Sequence, residues 1–301
     1  SFIMDLNEVS MHYDASAEDY HLQYDRDLLS DYSREYPANY FRLQLLLNSF
    51  VEKKVKKVIE VGVGEGTPLS TLARAGIEVS GFDISKEMVR KSKAMLNNYG
   101  LNADNIIWGD IQDPITYADL LRDGQYDALL AMGVMPHVRN DEACLINMRT
   151  MVKQGGSVFI EFRNKLFSLF TFNKYTHQFI LNDLLSDVSP KLKQIVSADL
   201  EKRLEMNQPT PKIFHDEKLE APGYDAILSK FHNPFEIKGL FEKCGFKDIK
   251  LLWYHYHPAM PYLGNENQEL FRNESLKLEH NNSSWKGLFL CSAFVVEAVK
   301  E

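Results

Sequence analysis

The chain has 301 residues, 45% of them hydrophobic and 25% charged, which suits one large α/β domain or a domain with an insertion. A formal net charge of -8 without a basic stripe argues against a nucleic-acid partner; the one basic run, Lys53-Lys54 with Lys56-Lys57, reads as the solvated approach to a strand. Cys144, Cys244 and Cys291 are too scattered for a disulfide framework or a zinc knuckle, and no apolar run nears the roughly 18 residues that span a bilayer.

The first 50 residues are polar and aromatic, with Tyr13, Tyr20 and Tyr24, and then helical, since Leu43, Leu46, Leu47 and Phe50 recur at helical spacing. From there short apolar runs alternate with helical stretches. Strands are expected at 57–61, 78–82, 105–108, 127–132 and 157–162, and helices at 67–75, 86–98 and 142–152. Such alternation predicts a doubly wound, mostly parallel sheet. It stops between residues 163 and 232, which carry a helix expected at 183–204 and the Pro-punctuated Gln208-Pro209-Thr210-Pro211. That stretch is too long for a simple loop in a compact domain and reads as a helical lid insertion. A helix at 234–244 and strands at 247–255 and 288–299 complete seven strands. With no helix expected between the last two, they read as an antiparallel pair at the sheet edge. The chain thus divides into a covering segment (1–50), a ligand-binding core (51–162), a lid (163–232) and a completing unit (233–301).

Chemistry first becomes visible in Val58-Ile59-Glu60-Val61-Gly62-Val63-Gly64-Glu65-Gly66-Thr67, an apolar strand, a glycine-rich turn and a helix start. Glycines let the backbone turn sharply and approach a ligand, while the helix N-terminus offers unpaired N–H groups. Alone, such a triplet also fits a plain strand-to-helix connection. The second strand, however, ends in Asp83, seventeen positions after Gly66, and the third in Trp108-Gly109-Asp110-Ile111. A carboxylate at the second strand end can accept both ribose hydroxyl protons; one at the third can accept from an adenine amino group, beside the backbone N–H of Ile111. Each acid separately could be a turn or cap residue. Acids at successive strand ends are harder to explain that way.

Taken together, Glu60-x-Gly62-x-Gly64-x-Gly66, Asp83 and Gly109-Asp110 resemble the class I S-adenosylmethionine-dependent methyltransferase family over about residues 55–162. The resemblance implies a Rossmann-like sheet and S-adenosylmethionine as cofactor, giving S-adenosylhomocysteine. It further implies Glu60 near the methionine end, Asp83 and Ile84 at the ribose, Asp110 and Ile111 at the adenine, and Met132 and Gly133 against the methionine amine and sulfur. Tyr20 falls in a segment similar to the one that folds over the cofactor in that family. A nicotinamide oxidoreductase is disfavoured, because Thr67 stands where its fingerprint needs glycine and Asp110 has no role there. No Asn-Pro-Pro-Tyr type sequence follows the fourth strand, which weighs against methylation of bases and amino groups.

Methyl transfer from a sulfonium needs alignment and water exclusion more than a protein nucleophile. A hydroxyl acceptor gains from a nearby base. His137 follows the fourth strand, His232 precedes the 234–244 helix, and His255 and His257 share a strand face. A metal held by His232, His255 and His257 is conceivable, but no carboxylate or cysteine spacing supports it, and none is expected. Arg163, at the fifth strand's end, suits a carboxylate or phosphate if it is more than a strand terminus. The expected activity is methylation of a small polar acceptor, an oxygen of a sugar or secondary metabolite being favoured, in the cytoplasm and without membrane or nucleic acid. A non-catalytic ligand-binding or scaffold protein of the same fold is the alternative from another class.

Overall fold

Strands β1 (Lys57–Val61) and β4 (Tyr126–Ala131) are apolar on both sides because both of their faces are covered, and they pair in parallel with Val58 opposite Ala128 and Val61 opposite Ala131. The structure, a computed structural model, describes residues 38–204, 229–281 and 283–301. β2 (Glu78–Asp83) lies on the other side of β1, β3 (Ile106–Trp108) beyond it, and β5 (Val152–Arg163) flanks β4, all parallel. β7 (Cys291–Lys300) runs antiparallel to β5, and β6 (Phe246–Tyr256) closes the sheet on β7, giving the order β3-β2-β1-β4-β5-β7-β6. The expected edge pair is therefore present, with the antiparallel strand one place in from the edge.

Helices cover both faces. On one, Leu46, Leu47 and Phe50 of α1 (Ala38–Lys53) pack with Val58, Leu130 and Phe159, alongside α2 (Thr67–Arg74) and α3 (Lys86–Asn98). On the other, Leu145 and Met148 of α4 (Asp141–Met151) and Ile237 and Phe241 of α8 (Pro234–Lys243) pack with Leu129, Ile160 and Phe162. Each of these fully buried side chains contributes on the order of 1.5–3 kcal/mol. Between β5 and α8 come α5 (Phe167–Thr171), α6 (Lys174–Phe179) and α7 (Pro190–Arg203).

Two expectations need correction. The helix anticipated at 183–204 starts only at Pro190: Ser189 accepts from the Leu192 N–H as a cap, and Pro190 sits where a first helical turn needs no N–H donor. A helix also lies between the last two strands, α9 (Gln268–Glu279), followed by α10 (Gly287–Leu290) just before β7. The buried residues of α9 are Arg272, Ser275 and Glu279, so no apolar stripe betrayed it. The antiparallel pairing survives the intervening helix. Among the described residues, no helix is long and apolar enough to cross a membrane.

Candidate active site

The chain leaves β1 on one side of the sheet and returns at β4 on the other, so a crevice opens beyond their carboxyl ends. Gly62, Asp83, Ile84, Asp110, Ile111 and His137 line it. Its turn needs glycine at two points. Gly62 has φ +75° and donates to the Phe82 carbonyl at 2.8 Å, and a Cβ there would stand 2.7 Å from Val134. Gly64, at φ +55°, points an N–H at Asp83 Oδ2, 3.0 Å away. Asp83 Oδ1 accepts from the Ser85 N–H. Burial pushes the Asp83 carboxyl up, and these backbone donors pull against it. Asp110 Oδ1 holds the Gln112 N–H, and the Trp108 indole donates to the Ile84 carbonyl at 2.7 Å, tying the β2 and β3 ends together.

The donor set suits an adenosyl amino acid. An ionised carboxylate offers about four acceptor positions, so Asp83, with two taken, can still receive a pair of ribose hydroxyls. Gly64 and Gly133 face open space where a side chain would intrude. Glu60, 1% exposed, has a buried Oε1 with no hydrogen-bond partner, and such an orphan calls for a donor like an ammonium. Burial, above all, raises the Glu60 carboxyl well above its ordinary range; Arg42 opposes this and Asp83 adds to it. Beside it, Arg42 donates to Glu161 at 2.8 Å, and the Tyr254 hydroxyl donates to the same carboxylate oxygen. Gly66 lies outside the crevice lining, at the α2 N-terminus, where a Cβ would strike Ser92. Met132 and Gly133 sit just past β4. Tyr20 lies outside the described residues.

A larger cavity, about 450 Å³ against about 30 Å³ enclosed in the crevice, has its own lining, from Asn164 to Asp183 and from Ser229 to Glu236 with Asp141. Among the described residues its lining holds no glycine turn and no strand-end acid. The two share the segment after β4: His137 lines the crevice, Asp141 lines the cavity, and the Pro136 carbonyl accepts from the Lys230 N–H. His232 also lines the cavity. Its Nε2 stands 2.7 Å from Asp141 Oδ2, while Lys230 Nζ holds the other oxygen at 2.5 Å. An ionised carboxylate only accepts, so Nε2 carries a proton; Nδ1 is buried and has no hydrogen-bond partner. Burial alone would raise the Asp141 carboxyl; the hydrogen bonds from His232 and Lys230 outweigh it and hold it low.

The other predicted residues are dispersed. Arg163, 8% exposed, donates to Ser229 and does not line the cavity; burial lowers its guanidinium to about 10 against the pull of Glu161. His255 and His257 do share a face, their rings 4.3 Å apart, but His257 packs on Phe167. Burial drives His255 down to about 4 and His257 well below its ordinary value. Among the described residues, no three His, Cys, Asp or Glu gather as a metal group, so the conceived His232–His255–His257 set does not form. Asp141, Lys230 and Arg42 were missed. Asp141 follows the cap residue Asn140 and looked like an ordinary acid in a helix's first turn.

A doubly wound sheet with a glycine turn at its switch point and acids at the next two strand ends defines a nucleotide-binding class. Residues 59–160, about a third of the chain, match the model of the family described as methyltransferase domain. A ubiquinone biosynthesis O-methyltransferase of Azoarcus sp. (strain BH72) is 30% identical over 127 residues, 42% of this chain and 52% of that one. One of the same description from Escherichia coli O139:H28 is 25% identical over 203 residues, 67% of each chain. The matched stretch thus spans about half of the first relative and two thirds of the second. A solved S-adenosylmethionine-dependent methyltransferase from Archaeoglobus fulgidus aligns with 94% of this chain and 100% of its own, at 16% identity and a TM-score of 0.49.

Proposed function

We propose that the protein methylates an oxygen of a small hydroxylated molecule seated in the larger cavity, with His232 as the base. The observation that carries this reading is the His232 imidazole, held by Asp141 at 2.7 Å in the lining of a cavity whose Lys230 N–H is bonded to the Pro136 carbonyl, next to the crevice residue His137. S-adenosylmethionine, when bound, supplies the methyl group on a sulfonium. Glu60, Asp83 and Asp110 would hold it along the strand ends. The acceptor hydroxyl would give its proton to the His232 imidazole as its oxygen gains the methyl carbon and the bond from that carbon to sulfur breaks. Asp141 then stabilises the imidazolium without taking the proton, a contribution of typically 10²–10⁴-fold for such a base. His137, on the crevice side, is read as part of the wall between the two ligands. The same reading divides the chain into a covering segment (1–50), a core (51–162), a lid (163–232) and a completing unit (233–301), the lid supplying most of the described cavity lining. The names of the two curated relatives agree with an oxygen acceptor.

His232→Ala should lower methyl uptake by about 10²–10⁴-fold while calorimetry finds S-adenosylhomocysteine affinity unchanged. Turnover that survives the substitution would remove His232 from the mechanism.

A further inference from the structure

Three side chains from α1, β5 and β6 meet at one oxygen. Arg42 of α1 donates through Nη1 to Glu161 Oε2 of β5 at 2.8 Å, and the Tyr254 hydroxyl of β6 donates to the same oxygen. Only 17% of the Arg42 side chain and 10% of Glu161 are exposed, and Tyr254 is buried. Burial works against the Arg42 charge, but Glu161 and Tyr254 outweigh it and raise the guanidinium above its ordinary value, so it stays ionised. Burial, helped by the Glu161 charge, drives the Tyr254 hydroxyl well above its own ordinary value, so it remains a donor. A long arginine stem samples many positions, and a carboxylate locked from a second side removes that freedom before a ligand arrives.

Where the guanidinium is held matters because of Glu60. That buried acid of β1 has an Oε1 without a hydrogen-bond partner, and it feels the charges of both Arg42 and the crevice residue Asp83. Arg42 therefore acts on two carboxylates, Glu60 and Glu161, and of the two it is bonded to Glu161. Arg42, Glu161 and Tyr254 all stand outside the described lining of the crevice, and β6 lies three places beyond β4 in the sheet. Their influence on a ligand there is one of position. Without the Glu161 charge, the cation is left to turn to Glu60 and close its open oxygen, because a buried charge that loses one partner takes another.

We propose that Glu161, itself fixed by Tyr254, is a positioning residue for the cofactor: it holds the Arg42 guanidinium beside Glu60, at the end of the crevice that takes the charged amino-acid part of S-adenosylmethionine. It rests on the proposed placing of the cofactor by Glu60 and involves neither His232 nor the larger cavity. Glu161 then matters for ligands that carry the amino-acid part and not for those that lack it. Calorimetry with the full chain compares S-adenosylhomocysteine with 5′-methylthioadenosine, which has the same adenosine and thioether but no amino acid. Glu161→Gln should weaken S-adenosylhomocysteine about tenfold while 5′-methylthioadenosine binds within about twofold of wild type, which also shows the variant folded. Tyr254→Phe, which keeps every charge, should shift the same ratio in the same direction by about threefold, and it carries the test should Glu161→Gln not fold. In an Arg42→Gln background, Glu161→Gln should leave the ratio where Arg42→Gln puts it, because its effect passes through the arginine. Equal losses for the two ligands, an unmoved ratio in Glu161→Gln or Tyr254→Phe, or an undiminished Glu161 effect in the Arg42→Gln background would overturn the proposal. Unchanged S-adenosylhomocysteine affinity in Glu60→Gln would instead overturn the placing of the amino-acid end at Glu60.

Discussion

Glu60 stands one residue from the end of β1, between the apolar Ile59 and Val61, in a place where an ionised carboxylate has lost its water. Its carboxyl is raised by that burial, so the free protein is more stable with the group neutral. The sign follows from linkage. Below the ordinary value of 4.5 the acid is neutral in folded and unfolded chains alike. As pH rises past it, the unfolded chain ionises first and stability falls until the folded value is reached. Glu60→Gln should therefore melt close to wild type near pH 4 and progressively above it toward pH 8, in thermal scans without ligand. A variant that melts lower at high pH would mean that the carboxylate is charged and held by Arg42. Asp83 has a different part, bridging the glycine turn and the α3 approach through Gly64 and Ser85. Asp83→Ala should weaken S-adenosylhomocysteine binding by about 10- to 100-fold, the loss of one hydrogen bond to a charged group at about 1.5–3 kcal/mol, read by calorimetry with NAD as the control. These strand-end acids were legible in the sequence because their meaning is local: a strand, a turn, an acid. Asp141, Lys230 and Arg42 were not, because their partners lie far along the chain. The Asp141–His232 pair spans 91 residues and Arg42–Glu161 spans 119.

At the scale of elements, the sequence yielded the parallel core closely. β1 and α3 fall at the expected 57–61 and 86–98, and the other core elements differ by a few residues at their ends. It failed where an element's stability comes from polar packing. α9 buries Arg272, Ser275 and Glu279, and Glu279 accepts the Tyr256 N–H at 2.9 Å from the last residue of β6. Periodicity finds fully buried apolar stripes, and this helix packs only the half-buried Leu276 and Leu278 on the core. Glu279→Ala should cost about 1–3 kcal/mol, because it strands a buried backbone donor at the edge strand; denaturant unfolding would register it, and a loss below about 0.5 kcal/mol would place that N–H in contact with water. α10 is as tightly set. A Cβ on Gly287 would come within 2.4 Å of the Trp253 ring, so Gly287→Ala should destabilise by about 1–3 kcal/mol through overpacking.

Over the whole molecule, one segment links the crevice and the cavity: His137 lines the first and Asp141 the second. Ligand that binds only the folded chain stabilises it by about 2.7 kcal/mol at a hundred times its dissociation constant. S-adenosylhomocysteine should accordingly raise the melting temperature and NAD should not. The cavity walls depend on more of the chain than the 163–232 stretch. Asn164, 1% exposed, sends its amide to the Leu288 and Cys291 carbonyls at 2.7 and 2.8 Å and accepts from the Leu166 N–H at 3.0 Å, so one side chain fastens the mouth of the insertion to the start of the final strand. Anyone who transplants residues 163–232 into a related scaffold to carry over its acceptor preference will transplant an unmoored flap. The graft becomes functional when residues 287–292 travel with it, and in evolution the two segments should change together.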